Sequence, residues 1–126
     1  MKKRFVTFFS PGTMVSEMTT KEVHSWDIKK AVKMMETITE RHGAHPYAFQ
    51  FYTMSRGLRD FEPKEVDRSP HYYVNCKIQT LADVEAEGPT SNMLAQNMRS
   101  NDWKRVVTTI DGYKWTQPFR DGDVVL

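Results

Sequence analysis

The chain has 126 residues, 39% of them hydrophobic and 27% charged, which fits one folded domain and excludes two full-sized ones. Its 18 Lys and Arg against 16 Asp and Glu leave a formal charge of +2, too small for a general nucleic-acid coat protein. The single cysteine, Cys76, excludes an internal disulfide framework and a structural zinc site built from several thiolates. It fits a reducing compartment.

The N-terminal segment resembles neither a signal peptide nor a membrane span. Residues 1–4 are followed by only five largely apolar residues, 5–9, before Pro11 and Gly12. A signal peptide has a longer apolar stretch, and a spanning helix needs about twenty apolar residues. We therefore expect a cytosolic protein with no membrane partner.

The first predicted elements are a strand over residues 4–9, an extended Thr-rich stretch over 14–23, and a long helix. Ser25 or Asp27 can supply the N-cap of this helix, and Gly43 ends it. Its apolar residues recur at the three-and-four spacing of one buried face: Ile28, Ala31, Val32, Met35 and Ile38.

Three further segments follow Pro46, which prevents the helix from continuing. Residues 47–53 predict a second strand, and residues 54–69 predict a loop or irregular hairpin. Residues 71–79 alternate and predict a third strand. Its core side is Tyr72, Val74, Cys76 and Ile78, and its outer side is His71, Tyr73, Asn75, Lys77 and Gln79.

Two short helices are predicted next, by capping signals in the sequence. Thr80 followed by Asp83 predicts a helix that stops by Gly88. Thr90 or Ser91 opens another helix, which includes Met93, Leu94 and Met98 and ends near Asn101.

The remaining residues predict a hairpin. Strands over 103–110 and 113–119 are joined by the turn pair Asp111-Gly112, and Asp121-Gly122 turns into the last four residues. The fold class that follows is α+β: residues 1–126 form a single compact ligand-binding domain, a largely antiparallel sheet covered by one long helix and shorter helices.

The sequence contains no strong catalytic or metal-binding pattern. His42 and His45 would share a helical face only if the helix continued past Gly43. Cys76 falls on the core side of its strand, where a thiol is inert. The carboxylate pairs Asp60 with Glu62 and Asp121 with Asp123 lie in turn-rich sequence, where charges are usually solvated. We expect no catalytic residue, no metal and no cofactor, and so a protein that is not an enzyme.

The C-terminal third combines cations, amides and flat rings, the groups that bind phosphates, hydroxyls and purines. They are Asn97, Arg99, Asn101, Trp103, Lys104, Arg105, Lys114, Trp115, Phe119 and Arg120. Alternation places Tyr113 and Trp115 on the hairpin face opposite Lys114, so one chain cannot direct all of them into one pocket. Either some aromatics belong to the core, or a partner subunit completes the site. In the alternative interpretation the aromatics only close the core and the cations are solvated.

Several strings resemble the first-described family of phage Thoeris anti-defence proteins. They are FVTFFSPGT at 5–13, SWDIKKA at 25–31, HPYAFQF at 45–51, YYVNCKIQTLADVEAE at 72–87, QNMRSN at 96–101, YKWTQPF at 113–119 and GDVVL at 122–126. The resemblance spans almost the whole chain.

The resemblance implies a phage protein of the infected bacterial cytoplasm that sequesters a glycocyclic ADP-ribose signal without cleaving it. Cyclic trinucleotides of the related CBASS defence are a second implied ligand class. It also implies a homo-oligomer, dimeric or hexameric, with pockets at subunit interfaces. Carried over to this sequence, the ligand-binding residues are Asn97, Arg99, Lys114, Trp115 and Arg120. Lys114 departs from the preferred Arg, because an ammonium cannot form the bidentate fork of a guanidinium.

Two other functions remain open at this stage. The chain can be a phage interaction module that inhibits a host defence enzyme through exposed aromatics. It can also bind single-stranded nucleic acid through the outer strand face with Tyr73 and Lys77, although we expect no stable nucleic-acid partner.

Overall fold

The structure is a computed structural model, and it describes residues 2–11, 19–59, 61–86, 98 and 104–126. The elements in chain order are β1 (Lys3–Phe9), β2 (Thr19–Val23), α1 (Ile28–His42), β3 (Ala48–Arg56), β4 (Pro63–Arg68), β5 (Tyr72–Tyr73), β6 (Lys77–Gln79), α2 (Leu81–Ala86), β7 (Lys104–Ile110), β8 (Tyr113–Phe119) and β9 (Val124–Val125).

The described strands form two sheets. The larger sheet has the order β2-β1-β3-β5-β9, with β4 also paired to β3, and the smaller sheet has the order β6-β7-β8. All pairs are antiparallel except β5 with β9, which run parallel. The predicted largely antiparallel character is confirmed, while the parallel pair was not predicted.

Helix α1 has the predicted boundaries because its capping residues act locally. The Asp27 side chain accepts a hydrogen bond from the Lys30 N–H, and Gly43, at φ 66°, donates its N–H to the Thr39 carbonyl. The buried face is Ala31, Met35 and Ile38. Ile28 was predicted to join that face, but it lies in the first turn and is exposed.

One face of the larger sheet packs against α1. Val6 and Phe8 of β1 lie directly opposite Phe51 and Phe49 of β3, and all four are buried in one cluster with the α1 residues. Phe49 stacks on Tyr72 at a centroid distance of 5.1 Å and meets Phe51 edge-on at 5.5 Å. The apolar face of α1 therefore packs on a layer of aromatic rings in the sheet.

The other face of the larger sheet packs against the smaller sheet. Ala48 and Tyr73 form a buried cluster with Cys76 and Val106, and Phe119 packs against it. The predicted helical cover is therefore correct for one face only: the long helix α1 packs there, whereas a second sheet, in place of shorter helices, covers the other face, and α2 is the one other helix among the described residues. The third predicted helix, from Thr90 or Ser91, lies outside the described residues except for Met98, which is buried.

The predicted continuous strand over residues 71–79 is wrong. Asn75 has φ 57°, in the left-handed region, and divides the segment between β5 of the larger sheet and β6 of the smaller one. Tyr72 and Tyr73 face different hydrophobic clusters, so Tyr73 is only 4% exposed although it was predicted to face outward. Ile78, predicted to lie in the core, is exposed.

The β7–β8 hairpin follows its turn chemistry. Asp111 and Gly112 both have positive φ, 52° and 82°, as a two-residue turn of type I′ requires, so the predicted β7–β8 hairpin is confirmed. The segment 54–69, predicted to be a loop or irregular hairpin, contains the end of β3 and all of β4, and these strands pair with a register shift between Thr53 and Met54.

Candidate functional site

The outer face of the smaller sheet carries a cavity of about 650 Å³, here called the Lys114 cavity. Its lining includes two cations, two amides, a hydroxyl and an apolar floor: Lys77, Lys114, Asn75, Gln79, Thr109 and Val107. This combination offers charge for phosphates, donors and acceptors for hydroxyls, and an apolar surface for a flat ring.

Strand register fixes the two lysines on one face. Lys77 lies opposite Val107, and Thr109, two residues farther along β7, lies opposite Lys114. Directly opposed residues point to the same side of a sheet, and so do residues two apart along one strand. Lys77 and Lys114 are two strands apart, which is about 10 Å across the strand direction. The cations therefore stand on either side of the apolar floor.

Helix α2 forms one wall of the Lys114 cavity and begins with a reciprocal cap. The Thr80 N–H and hydroxyl donate to the Asp83 carboxylate at 2.9 and 3.0 Å, and the Asp83 N–H donates to the Thr80 hydroxyl at 3.3 Å. The backbone and hydroxyl donors of Thr80 lower the pKa of Asp83. The predicted cap is confirmed, and the Asp83 carboxylate is engaged in holding the helix.

A third cation lies on the same sheet face. Arg105 is opposite Gln79 and donates a hydrogen bond from its guanidinium to the Thr116 hydroxyl. Because Thr116 pairs with Val107, this guanidinium is held near the apolar floor of the cavity. The sheet face therefore carries three cations, and Asp83 of α2 adds a carboxylate to the cavity lining.

A second cavity, of about 360 Å³, lies where β8 ends beside β1, and we call it the Arg120 cavity. Its lining includes Phe9, Tyr47, His71, Tyr73, Gln117 and Arg120. Three ring contacts form one wall: Phe9 with His71 at 5.2 Å, His71 with Tyr73 at 6.1 Å, and Tyr73 with Tyr47 at 6.2 Å.

Asp123 positions the rim of the Arg120 cavity. Its carboxylate accepts hydrogen bonds from the backbone N–H groups of His71 and Arg120 at 3.1 and 3.2 Å. The Asp123 N–H donates to the Arg120 carbonyl at 3.0 Å and closes the turn. The Asp123 side chain is 5% exposed, so the prediction of a solvated carboxylate is wrong for this residue.

The imidazole of His71 is half-buried in the same wall. Burial lowers the pKa of His71, and Arg120 and Arg68 act in the same direction, while Asp123, at 3.8 Å from Nδ1, opposes them. His71 is therefore favoured in its neutral form, and Arg120 supplies the positive charge of the cavity.

The predicted site residues do not share one cavity. Lys114 lines the Lys114 cavity and Arg120 lines the Arg120 cavity. Trp115 is partly exposed, on the sheet face opposite Lys114, as alternation predicted. Asn97 and Arg99 lie outside the described residues.

Sequence reasoning left several lining residues out of the predicted set, among them Lys77 and His71. Lys77 had been placed on an outer strand face, but only the pairing of β6 with β7 brings it into the same cavity as Lys114. His71 had also been placed on an outer face, and no local pattern indicated its contact with Phe9. The single-stranded nucleic-acid hypothesis loses its stacking group, because Tyr73 is buried.

The one nucleophile candidate, Cys76, is accounted for by packing. Cys76 is buried, its thiol lies 3.2 Å from the Val74 carbonyl, and burial raises its pKa. The prediction that Cys76 lies in the core is confirmed. Within the described residues, no three His, Cys, Asp or Glu side chains cluster as a metal site would require.

The chain was compared with protein-family models, curated proteins and solved structures. No family model, no curated protein and no solved structure matches it. Among the described residues, neither α1 nor α2 has the length and apolar character needed to cross a bilayer.

Proposed function

We propose that this chain is a phage anti-defence sponge that binds a cyclic nucleotide immune signal, of the glycocyclic ADP-ribose type, and leaves it uncleaved. The Lys114 cavity carries the proposal, because it combines two lysines, two amides and an apolar floor in about 650 Å³. Cyclic trinucleotides, which present the same chemical groups, are a second ligand class. The site of action is the cytoplasm of the infected bacterium.

The main chemical groups of this ligand each have a complementary group in the Lys114 cavity. A pyrophosphate carries two negative charges, which Lys77 and Lys114 can neutralise from opposite sides of the floor. Ribose hydroxyls pair with the amides of Asn75 and Gln79, and the base lies against Val107. Asn97 and Arg99 remain predicted ligand contacts.

Sequestration needs tight binding and no chemistry. A messenger is depleted when the concentration of pockets exceeds that of the messenger and the dissociation constant is well below both. Nanomolar binding, about −12 kcal/mol, meets that requirement. A largely preformed pocket favours such affinity, since each loop ordered on binding lowers it. Two walls of the Lys114 cavity belong to hydrogen-bonded elements, β6–β8 and α2.

A second copy of the chain is part of the proposal. Trp115 cannot stack on a ligand in the Lys114 cavity of its own protomer, because it lies on the opposite sheet face. In a homodimer or hexamer, Trp115 from a neighbouring copy supplies the missing aromatic surface.

Recovery of the bound ligand tests the proposal. Purified protein is incubated with host-derived signal, separated from free signal, and heated to release what it holds. We expect intact signal in an amount proportional to protein. Release of a hydrolysed product would replace the sponge with a hydrolase, and no retained signal would reject the proposal. Calorimetric titration with a small panel of cyclic nucleotides then identifies the preferred ligand.

A second candidate function is a protein-interaction module that inhibits a host defence enzyme. It is favoured by the β3–β4 hairpin, where Leu58 is fully exposed and Phe61 is 79% exposed. Near them Phe5 stacks on Tyr52 at 5.4 Å, and both line a cavity together with Phe61. The double substitution Leu58→Ser with Phe61→Ser would abolish capture of such an enzyme and leave binding of the nucleotide signal unchanged.

A further inference from the structure

The Arg120 cavity is separate from the Lys114 cavity and shares none of its lining residues. We infer that it is a second ligand site, which binds a small organic anion: a planar ring bearing one carboxylate or phosphate. The anionic group lies at Arg120, and the ring lies against Phe9 and His71. This inference does not rest on the proposed sequestration of a cyclic nucleotide.

The charge at the rim is available to a ligand. Among the residues that the structure describes, the Arg120 guanidinium forms no ion pair, although the Asp123 carboxylate belongs to the same turn. That carboxylate instead accepts from two backbone N–H groups and is almost fully buried. Asp123 thus holds the Arg120 backbone in place and leaves the guanidinium for an external anion.

The ring wall suits a flat, uncharged group. Phe9 and His71 are partly exposed and both line the cavity, with ring centroids 5.2 Å apart and planes tilted by 51°. Tyr73 and Tyr47 close the inner end and are themselves buried. Since His71 is favoured in its neutral form, the wall adds no second positive charge at neutral pH.

Size and polarity restrict the ligand further. A volume of about 360 Å³ is at the lower end of the range for small-molecule pockets, so the site favours one ring with a short polar substituent. The Gln117 amide adds a donor and an acceptor next to Arg120 for that substituent. A single cation matches a single anionic group.

Benzoate and phenyl phosphate are the probes, because they share the ring and differ in the anionic group. Benzamide is the uncharged control and inorganic phosphate the control without a ring. Each is titrated into the full chain while amide NMR signals are recorded. We expect at least one of the two ring anions to shift the Phe9, His71 and Arg120 signals saturably. Both controls should bind at least tenfold more weakly.

The variant Arg120→Gln should weaken binding of that ring anion at least tenfold, whereas the exposed-cation variant Arg56→Gln and the cavity variant Lys114→Gln should bind it normally. Thermal unfolding establishes that each variant is folded. Equal binding of benzamide, equal binding of inorganic phosphate, or unchanged affinity in folded Arg120→Gln would overturn the inference. None of these results bears on retention of a cyclic nucleotide in the Lys114 cavity, so the two proposals fail separately.

Discussion

Ser69 and Phe51 exchange two hydrogen bonds that join the end of β4 to the middle of β3. The Ser69 N–H donates to the Phe51 carbonyl at 2.8 Å, and the Phe51 N–H donates to the Ser69 hydroxyl, also at 2.8 Å. The side chain thereby replaces a backbone acceptor at the point where β3 changes partner from β4 to β5. The neighbouring Gln50 amide donates to the Ser69 carbonyl at 2.8 Å.

Replacing Ser69 by Ala removes the acceptor of the Phe51 N–H in a buried region. We expect the free energy of unfolding to fall by about 1–3 kcal/mol, the cost of an unsatisfied buried donor. Urea denaturation measures it. The matched control is Ser55→Ala, whose hydroxyl makes one exposed bond of 3.4 Å and should change stability by less than about 0.5 kcal/mol. Equal effects in the two variants would contradict this account of Ser69.

Replacing Phe49 by Ala removes a fully buried ring that contacts Phe8, Phe51 and Tyr72. The expected loss in the free energy of unfolding is about 3–5 kcal/mol, from lost burial and the remaining cavity. The control Phe61→Ala removes the same ring at a site that is 79% exposed, where about 0.5 kcal/mol or less is expected. Thermal and urea unfolding of both variants provide the comparison, and a small effect at Phe49 would place the core elsewhere.

The lowered pKa of His71 predicts a pH dependence of stability. In the unfolded chain His71 takes up a proton near its ordinary pKa of about 6.5, while in the folded protein it resists protonation until a lower pH. The free energy of unfolding should therefore be constant above that value and fall as the pH drops from about 6.5 toward the folded pKa.

The variant His71→Gln should flatten this part of the pH profile, measured by urea denaturation between pH 5 and 8. His24→Gln is the control, because His24 is exposed and the Arg4 guanidinium donates to its backbone carbonyl, which the substitution retains. It should retain the decline of the parent protein. If the free energy of unfolding of the parent protein rose toward low pH, the result would contradict a buried neutral imidazole at His71.

Lys77→Gln and Lys114→Gln test the Lys114 cavity directly. Each should weaken binding of the cyclic nucleotide by about 1–3 kcal/mol, the range for a hydrogen bond to a charged group. Isothermal titration calorimetry at fixed salt gives the affinities. Lys114→Arg retains the charge and should bind at least as well, because a guanidinium can contact a phosphate through two N–H groups.

The control for both lysines is Lys64→Gln, which removes an exposed charge from β4, outside the cavity. Lys64→Gln changes the net charge by the same amount as each cavity variant. A general electrostatic effect would therefore weaken nucleotide binding in this control as well. Affinities that fall equally in all three Gln variants would indicate attraction by net charge in place of a defined site.

Much of the fold could be predicted where the determinants are local. Asp27 and Gly43 bound α1 through hydrogen bonds within a few residues, and Asp111 with Gly112 closes its hairpin through backbone conformation alone. The parallel β5–β9 pair could not be predicted, because two-residue strands have no period. It depends on bonds such as the one from the Val124 N–H to the His71 carbonyl.

The strand prediction over residues 71–79 failed because alternation assumes one buried face. Tyr72 and Tyr73 are adjacent and both pack in the interior, since helix α1 covers one face of the larger sheet and the smaller sheet covers the other. When both faces of a strand are buried, adjacent aromatic residues show no alternation of apolar and polar side chains. The left-handed conformation of Asn75 has no signature beyond Asn being tolerant of it.

The candidate site was predictable in composition and less so in arrangement. Alternation placed Lys114 and Trp115 on opposite faces from sequence alone, and the register confirms it. That Lys77 lies beside Lys114 depends on β6 pairing with β7 across about thirty residues of chain, which no local pattern encodes. The role of Asp123 was missed for the same reason, because its donor on His71 is 52 residues away.

The bend at Asn75 ties the binding surface to the hydrophobic interior. Tyr73 is buried between the two sheets, and Lys77 lines the Lys114 cavity. Only three residues separate them along the chain. Folding thus fixes the backbone at Lys77. Ligand binding then carries no further entropic cost for ordering this segment. Loosening the packing around Tyr73 should accordingly reduce affinity at a surface that Tyr73 never touches.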